Sequence, residues 1–445
     1  MESTVVYCVA AACLGYVLLS TIRFRRILFA DPFQPRLVYR FLVLYALVFS
    51  ALSAKNAETF HFVTTLAILF AALTFLICLD LVAIVGPKAT GSTATLVESP
   101  RDAFYAKAFL LLYAIGWVWR AYALQAGLLH GTFLATQIET TEFGNLIGQL
   151  NGLSLLALMG RLVFVRSDRI TLTMLALVAA EIAWAFMSGS KIAILYVIFP
   201  LLLVAYRRTW LRFSFKRALF GAAAALILVQ ISFGVVTAYR ASVQQSVSSG
   251  EGLAISAVLN GIADALTGGV EGPQDAAGDV GGGLSDRLNW AGFFGVLIER
   301  DDIWEESWWG SSYSPIFTWW IPRFLWAEKP TISVGAWYGE QVLGWSGSRS
   351  EGAITIWGDG LMNFGFPGVL FASVAWILLI YFVYDRAGRR GRWGLFFLSA
   401  IYVKLLLGLE QNLAAPLVAL QLQLLLIFVV RLIFEVSANL LMRRA

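Results

Sequence analysis

The stretch that decides the fold is Phe60-HFVTTLAILFAALTFLICLDLVAIV-Gly86, in which Asp80 is the sole residue charged at pH 7. A continuous apolar run of about 20 residues is long enough to cross the hydrocarbon core of a bilayer as a helix. A helix also satisfies all of its backbone hydrogen bonds internally, as lipid requires. The run lacks the period-two alternation of a transmembrane β-strand. It therefore predicts a membrane-spanning α-helix.

Ten further apolar runs extend this pattern along the chain. They lie at 4–22, 37–54, 104–119, 146–165, 170–187, 191–206, 218–237, 366–384, 394–408 and 413–434. Hydrophobic residues make up 59% of the 445 residues and charged residues 14%, against about 25% charged in soluble domains. This composition excludes a soluble globular enzyme, a disordered chain and a basic nucleic-acid-binding protein. It predicts an all-α polytopic membrane protein with about eleven transmembrane helices.

Basic clusters follow alternate apolar runs and so predict the topology. They are Arg23/Arg25/Arg26, Lys88/Arg101/Lys107, Arg161/Arg166/Arg169, Arg207–Arg217, Arg386–Arg392 and Arg443/Arg444. Because Lys and Arg mark cytoplasmic loops, all six fall inside when the N-terminus is outside and the C-terminus inside. Three regions result: 1–237 with helices 1–8, a large outer loop at 238–365 containing short helices, and 366–445 with helices 9–11. A loop of this length is where we expect function to lie.

The second part of the outer loop, 287–365, is rich in tryptophan and arginine. It holds ten of the sixteen tryptophans, interleaved with Arg300, Arg323, Lys329 and Arg349, while Arg240 lies at the loop entrance. Tryptophan faces stack on sugar rings, but they also form the aromatic belt at a membrane interface. Arginine forks bind phosphate, but they also snorkel to the interface. Together the two residue types predict a site for an amphiphile whose head carries phosphate and sugars.

Two short stretches in this segment resemble a known family. They are Ile321-PRFLWAEK-Pro330 and Gly358-DGLMNFGFP-Gly368, and Ser188-GS-Lys191 is a third, weaker feature. Together they are similar to the outer-loop signature of the Wzy-type O-antigen polymerases, the oligosaccharide repeat-unit polymerase family. Asp359 stands where that family more often has Glu. An Arg-x10-Gly spacing discussed for some members is matched here by Arg349 and Gly360.

The resemblance implies a metal-independent, inverting glycosyltransferase of the GT-C kind, with no cofactor. Such an enzyme joins repeat units carried on undecaprenyl pyrophosphate at the periplasmic face of the bacterial inner membrane. Its products are O-antigen, lipopolysaccharide or exopolysaccharide chains. The N-terminus is then periplasmic and the C-terminus cytoplasmic. The expected partners are the lipid-linked oligosaccharides, the bilayer and a chain-length regulator protein, with no nucleic acid. An O-antigen ligase is the nearest alternative.

Glycosyl transfer from a pyrophosphate carrier needs cations at the departing pyrophosphate and a base at the acceptor hydroxyl. The catalytic candidates are Arg323, Lys329, Asp359, Arg240 and Glu340. The substrate-binding candidates are Arg120, Lys191, Arg349, Arg300, Asn363, Trp326, Trp337, Trp357 and His130. Structural alternatives stay open at this point. Asp359 can cap the helix that it precedes, Arg323 can pair with Glu328 or Asp359, and Asn363 can bond backbone in a turn.

Charged residues inside the apolar runs suggest the second class of function. Asp80, Glu181 and Lys404 lie within spans, where ionisable groups are functional candidates. A transporter or flippase of lipid-linked glycans would use such groups, but the chain has no paired, broken helices in corresponding halves. No metal is expected, because the outer segments lack ligand spacing. The three cysteines lie in apolar runs, so no disulfide framework is expected.

Overall fold

The computed structural model describes fifteen stretches of the chain. They are residues 2–28, 31, 33–56, 60–85, 99–125, 152–167, 170–187, 193–210, 289–304, 307–321, 325–326, 328, 334–344, 353–388 and 390–442. Every regular element in these stretches is a helix. The predicted span at 218–237 and the loop residues from 238 to 288 lie outside the described residues.

The helices are numbered in chain order. They are α1 (Glu2–Leu28), α2 (Pro35–Val43), α3 (Ser50–Asn56), α4 (Phe62–Val85), α5 (Asp102–Gln125), α6 (Leu153–Phe164), α7 (Leu172–Met187), α8 (Ala193–Arg207), α9 (Trp290–Ile298), α10 (Asp301–Trp304), α11 (Pro315–Thr318), α12 (Gly335–Trp337), α13 (Thr355–Gly388), α14 (Gly391–Leu407) and α15 (Ala414–Met442). A π-helical segment, Leu44–Phe49, joins α2 to α3, and a second, Tyr338–Val342, follows α12.

Six of the described helical segments are long and apolar enough to cross a membrane. They are Thr4–Arg23, Pro35–Ser53, Phe62–Val82, Thr355–Ala387, Gly391–Glu410 and Ala414–Leu440. Three shorter apolar helices are Leu153–Phe164, Leu172–Phe186 and Ala193–Arg207. The chain is therefore a helical protein of membrane-embedded character. The count of eleven spans and the GT-C architecture stay predictions.

The chain divides into two compact units. The first comprises Met1–Thr95 and Leu288–Arg431, and the second comprises Leu96–Arg287 and Leu432–Ala445. In the first unit a chain of hydrogen bonds joins three helices. Trp376 of α13 donates its indole N–H to the Tyr39 hydroxyl of α2 at 2.9 Å, and Tyr39 donates to the Leu405 carbonyl of α14 at 3.1 Å. Buried hydrogen bonds thus hold the three helices together, and the low dielectric of the interior strengthens these bonds.

Helix α9, which belongs to the segment 238–365 that the sequence predicts as a large outer loop, packs among the helices of the first unit. Its first residue, Trp290, is fully buried and packs on Trp357, which in turn contacts Phe75 of α4. Phe75 is about 20 Å along α4 from its first residue. At its other end, the Glu299 carboxylate accepts a 2.7 Å hydrogen bond from the His61 N–H, just before α4. Because α9 is strongly apolar, it is stabilised by burial beside α4.

Helix α13 is broken into two segments that fold back on each other. The break is at Phe364 and Gly365, whose dihedral angles are not helical, and Gly365 has φ of +63° and ψ of −154°. Across the break, Gly360 and Gly368 approach so closely that a Cβ on either residue would meet the backbone of the other. The Trp357 indole N–H also donates to the Ser373 hydroxyl at 3.1 Å. The first segment, 355–363, therefore runs back beside the start of the second.

This hairpin moves a boundary that the sequence places at 365. The predicted span begins at 366, but the helical chain begins at Thr355 and is already buried there. The apolar pattern could not show it, because polar Asp359 and Asn363 interrupt the first segment. Their side chains are accommodated by hydrogen bonds to other parts of the fold rather than by exposure to water.

A second buried polar cluster joins α1, α2 and α4. Asp80 accepts from Arg36 Nε and from Arg40 Nη2, both at 2.6 Å on its Oδ1 atom. The Tyr16 hydroxyl donates to Asp80 Oδ2 at 2.8 Å. Both arginines are about 2% exposed. The pairing explains how an acidic residue is tolerated within the apolar run of α4, because a buried charge needs a partner.

The second unit contains a separate buried ion pair. Arg120 near the end of α5 forms two hydrogen bonds with the Glu181 carboxylate of α7, at 2.8 and 3.0 Å. The Trp117 indole also donates to Glu181 at 3.1 Å, and the guanidinium lies over the rings of Trp117 and Trp184. This bidentate, stacked geometry is the one arginine favours.

Candidate functional site

The candidate site is built around the first segment of α13, within the stretch Gly358–Gly368. Asp359 is fully buried and accepts two hydrogen bonds that come from other elements. Its Oδ1 atom accepts from the Ser312 hydroxyl at 2.7 Å, and its Oδ2 atom accepts from the Leu413 backbone N–H at 2.8 Å. The carboxylate thus joins α13 to the 3₁₀ turn at Ser311–Tyr313 and to the start of α15.

Asn363, one turn beyond Asp359, extends the same network. Its Nδ2 atom donates to the Ser312 hydroxyl at 2.8 Å, to the Asp359 carbonyl at 2.7 Å and to Asp359 Oδ1 at 3.2 Å. Its Oδ1 atom accepts from the Gly310 N–H at 2.9 Å. Since Asn363 is fully buried, these bonds satisfy the amide where water does not reach it.

Residues 307–313 form a strap across the break in α13. The Ser307 hydroxyl donates to the Asn363 carbonyl at 2.6 Å, and the Trp308 N–H donates to the Met362 carbonyl at 2.9 Å. The last carbonyls of a helix have no partner within the helix, so the strap supplies partners where the first segment ends. Gly310 takes φ of +82° to make the turn, a conformation that glycine adopts without strain.

The electrostatics of the network are unusual because its donors are neutral. Within the described residues, Asp359 receives its hydrogen bonds from a hydroxyl, an amide side chain and a backbone N–H. Tyr313 lies nearby; burial, with the Asp359 carboxylate as the second cause, raises the pKa of its phenol. A fully buried carboxylate with both oxygens engaged has no free face for an acceptor hydroxyl. This geometry suits a positioning role better than that of a general base.

Aromatic residues surround the strap and extend outward. Trp308 meets Trp337 edge to face at 4.6 Å between ring centroids, and Tyr313 contacts Phe364. Beyond them, several large side chains are exposed: Trp309 (81%), Phe317 (75%), Leu325 (70%), Trp320 (66%) and Trp326 (38%). Trp309 belongs to the strap, and Phe317 and Trp320 follow it closely along the chain. Tryptophan is enriched where a protein meets the membrane interface, so their exposure suits contact with lipid or with an amphiphile.

The structure brings Asp359 and Asn363 together and gives Trp357 a different place. Trp357 is fully buried against Phe75 and Trp290, so it belongs to the core rather than to a sugar-binding face. The expectation that Asp359 caps its helix is wrong. Thr355 takes that place, because its hydroxyl accepts from the Gly358 N–H at 3.2 Å, whereas Asp359 lies one turn further on.

Two other described candidates, Arg300 and Glu340, lie on the surface of the loop. Arg300 pairs with Asp302 at 3.0 Å, both side chains are exposed, and the guanidinium lowers the pKa of the Asp302 carboxyl. Glu340 is exposed on the π-helical segment Tyr338–Val342. The Tyr338 hydroxyl holds that segment by donating to the Phe293 carbonyl of α9, and burial raises the pKa of this phenol.

The remaining candidates fall outside this site. Arg120 belongs to the second unit, where its guanidinium is committed to Glu181. The rest lie outside the described residues: Arg323, Lys329, Arg240, Lys191, Arg349 and His130. Among the described residues, no three His, Cys, Asp or Glu side chains are grouped as a metal site would require.

Sequence reasoning missed the partners of two buried aspartates. Arg36 and Arg40 are four residues apart and so share a helix face, which could have identified them as partners of Asp80 in the next apolar run. Ser312 gives no comparable signal, since it is 47 residues from Asp359 and one of many serines.

No protein-family model matches the chain, and comparisons with curated proteins and with solved structures find no match either.

Proposed function

We propose that the protein is a membrane glycosyltransferase that polymerises undecaprenyl-pyrophosphate-linked oligosaccharides at the periplasmic face of the inner membrane. The observation that carries the proposal is the fold of the stretch Gly358–Gly368, on which the resemblance rests. That stretch forms a buried polar hairpin held by the 307–313 strap, beside the exposed aromatic residues of the same unit. Such a rigid support is what a surface that binds an amphiphile requires, because a binding site must be held in one geometry.

In this proposal the residues form two groups: a buried supporting network and an exposed surface that contacts the substrate. Asp359, Asn363 and Ser312 hold the strap and the hairpin in one geometry. Exposed Trp309, Trp320 and Trp326 offer faces for sugar rings or for the carrier lipid. Arg323 and Lys329 are expected to meet the pyrophosphate, because the departing group gains negative charge.

The reaction itself needs one bond formed and one broken. The acceptor hydroxyl oxygen bonds to the anomeric carbon of the donor sugar, and the pyrophosphate oxygen leaves with the bonding electrons. The acceptor proton passes to a general base. Of the carboxylates proposed for this segment, Glu340 is exposed and Asp359 is not, so Glu340 is the better candidate for that proton.

The test uses purified full-length protein and a lipid-linked repeat unit, with no ATP, nucleotide sugar or added metal. The expected result is a ladder of longer lipid-linked glycans on a gel. Arg323→Ala and Lys329→Ala are each expected to lower the rate at least tenfold. A product that requires a nucleotide sugar contradicts the donor assignment, and full activity of both variants contradicts the pyrophosphate contacts.

The alternatives give different products. An O-antigen ligase transfers the glycan to a lipid acceptor and makes no ladder from the repeat unit alone. A flippase makes no new glycosidic bond, and its deletion leaves lipid-linked repeat units on the cytoplasmic side. The buried Asp80 and Glu181 that favour transport are both held in ion pairs, so their burial has a structural explanation.

A further inference from the structure

The strap and the residues that follow it, 307–321, form an exposed surface without charge, which we call the aromatic segment. It contains no Asp, Glu, Lys or Arg, although Glu306 and Arg323 flank it closely. Three of its large side chains are exposed: Trp309 (81%), Phe317 (75%) and Trp320 (66%). Earlier in the same loop, the exposed pair Arg300 and Asp302 is charged. Exposed aromatic rings without charge are unfavourable in water and favourable at a membrane interface.

Aromatic contacts join this segment to the exposed face of α13. Phe364, at the break in α13, lies 6.1 Å from Tyr313 of the strap and 6.3 Å from Phe371, measured between ring centroids. The second segment of α13 carries an exposed stripe that is entirely apolar: Phe366, Leu370, Phe371, Leu378 and Phe382. Because α13 is long and apolar enough to cross a membrane, we expect this stripe to contact lipid. The aromatic segment is continuous with it.

The length of α13 gives the height of the aromatic segment in the bilayer. Arg386 is exposed and begins a basic cluster, which marks one boundary of the membrane. From Phe366 to Arg386 an upright α-helix rises about 30 Å, and the hydrocarbon core is also about 30 Å thick. Phe366 thus lies at the opposite boundary. The strap bonds to the carbonyls of Met362 and Asn363, just before Phe366, so it lies at the level of the lipid headgroups.

We propose that the aromatic segment is inserted into the membrane interface, in the leaflet opposite to the basic cluster at Arg386. Trp309, Phe317 and Trp320 then lie between the headgroups and the acyl chains. The partner of this surface is bilayer lipid, because the surface is uncharged and continues the apolar stripe of α13. A protein partner or a second copy of the chain would instead cover it and exclude lipid.

This placement has a consequence for the polar hairpin. The strap bonds directly to Asn363 and, through Ser312, to Asp359. If the strap lies at headgroup level, the network lies there too, and a lipid-linked molecule reaches it by diffusion within the bilayer. Trp309 and Trp320 then contact lipid rather than sugar rings. The inference does not depend on the proposed function, because it uses only exposure, charge and helix length.

The test measures the depth of single spin labels in the full-length protein, reconstituted in phosphatidylcholine nanodiscs without a glycan substrate. Cys8, Cys13 and Cys78 are first replaced by alanine, and a labelled cysteine is then placed at 309, 317 or 320. Oxygen concentrates in hydrocarbon and a nickel chelate in water, so the ratio of their collision rates with the label reports depth. The ratio at each of these positions should be at least threefold higher than at position 300.

Two labelled positions calibrate this scale. Leu378→Cys lies on the apolar stripe of α13, and Arg300→Cys lies in the exposed, charged part of the loop. Ratios at the three test positions equal to that at Arg300→Cys would overturn the proposal, since the segment would then lie in water. Low collision rates with both reagents would also overturn it, since protein would then cover the segment.

A second measurement uses the unmodified chain and so does not require the cysteine-free protein to fold. Nanodiscs containing a photoactivatable phosphatidylcholine are irradiated, and lipid adducts are located by mass spectrometry of peptides. Residues 307–321 should carry at least fivefold more adducts than residues 334–344, which include exposed Glu340. Equal yields would contradict insertion. Neither measurement requires glycan synthesis, so this inference and the proposed function can fail separately.

Discussion

Asp80 and Asp359 are both buried carboxylates of the first unit, but they are stabilised differently, one by charged donors and the other by neutral ones. Asp80 accepts from two guanidiniums at 2.6 Å and from the Tyr16 hydroxyl. Asp359 accepts from a serine, an asparagine and a backbone N–H, with no charged donor among the described residues. The first cluster joins three helices, and the second joins a broken helix to a strap and to α15.

The difference separates a group that the fold needs from one that shapes a site. Removing one member of a buried ion cluster leaves the other charges uncompensated, so the whole unit depends on Asp80. A carboxylate held by neutral dipoles costs less to alter, and the change stays local. We therefore expect mutations at Asp80 to destabilise the whole unit, and mutations around Asp359 to alter the geometry of the site with a smaller loss of stability.

Asp80→Asn is expected to have the largest effect. It leaves Arg36 and Arg40 buried without their carboxylate, which should lower the free energy of unfolding by about 3–5 kcal/mol. Thermal unfolding in detergent, followed by size-exclusion chromatography, measures the change. Asp302→Asn is the control, because that side chain is 61% exposed. An unchanged melting temperature for Asp80→Asn would show that the cluster does not hold the helices together.

Ser312→Ala tests the neutral network. The change removes a donor to Asp359 and an acceptor from Asn363, and bonds to charged groups contribute about 1.5–3 kcal/mol. The protein should remain folded, melt at a lower temperature and lose glycan synthesis. Ser311→Ala, one residue away on the exposed side of the same turn, should behave as the unmodified protein. If both variants keep full activity, the strap does not position the site.

Gly365→Ala tests the break that brings Asp359 to the strap. Dihedral angles of +63° and −154° belong to a region that is almost exclusive to glycine, so a side chain there should cost about 1–3 kcal/mol. Thermal unfolding measures this change as well. Gly15→Ala is the control, since Gly15 lies in α1 with open space around it. A stability loss at Gly15 equal to that at Gly365 would contradict the prediction.

The helices could largely be read from the sequence, but the hairpin and the site could not. The run at 60–86 became α4, and the run at 394–408 became α14, because lipid imposes a local rule on every residue of a span. The first segment of α13 follows no such rule. Its polar residues are buried only because Ser312, Gly310 and Leu413 supply partners from distant positions, and such pairings leave no pattern in one sequence. The burial of α9 was missed for a different reason: its nine apolar residues, Trp290–Ile298, form a run too short to be recognised as a span.

The smallest effect on stability is expected at Arg300, whose ion pair is exposed and can be compared with the buried ion pairs of Asp80. Its partner Asp302 is also an aspartate in an ion pair, but both side chains face solvent, where screening leaves little net stabilisation. Arg300→Ala should therefore leave the melting temperature unchanged while Asp80→Asn lowers it.

Arg300 is also a proposed substrate-binding cation, so the same variant is assayed for glycan synthesis over a range of substrate concentrations. A raised KM with unchanged stability supports a contact with the substrate. Unchanged kinetics would remove Arg300 from the site, and lowered stability would contradict the distinction between buried and exposed pairs.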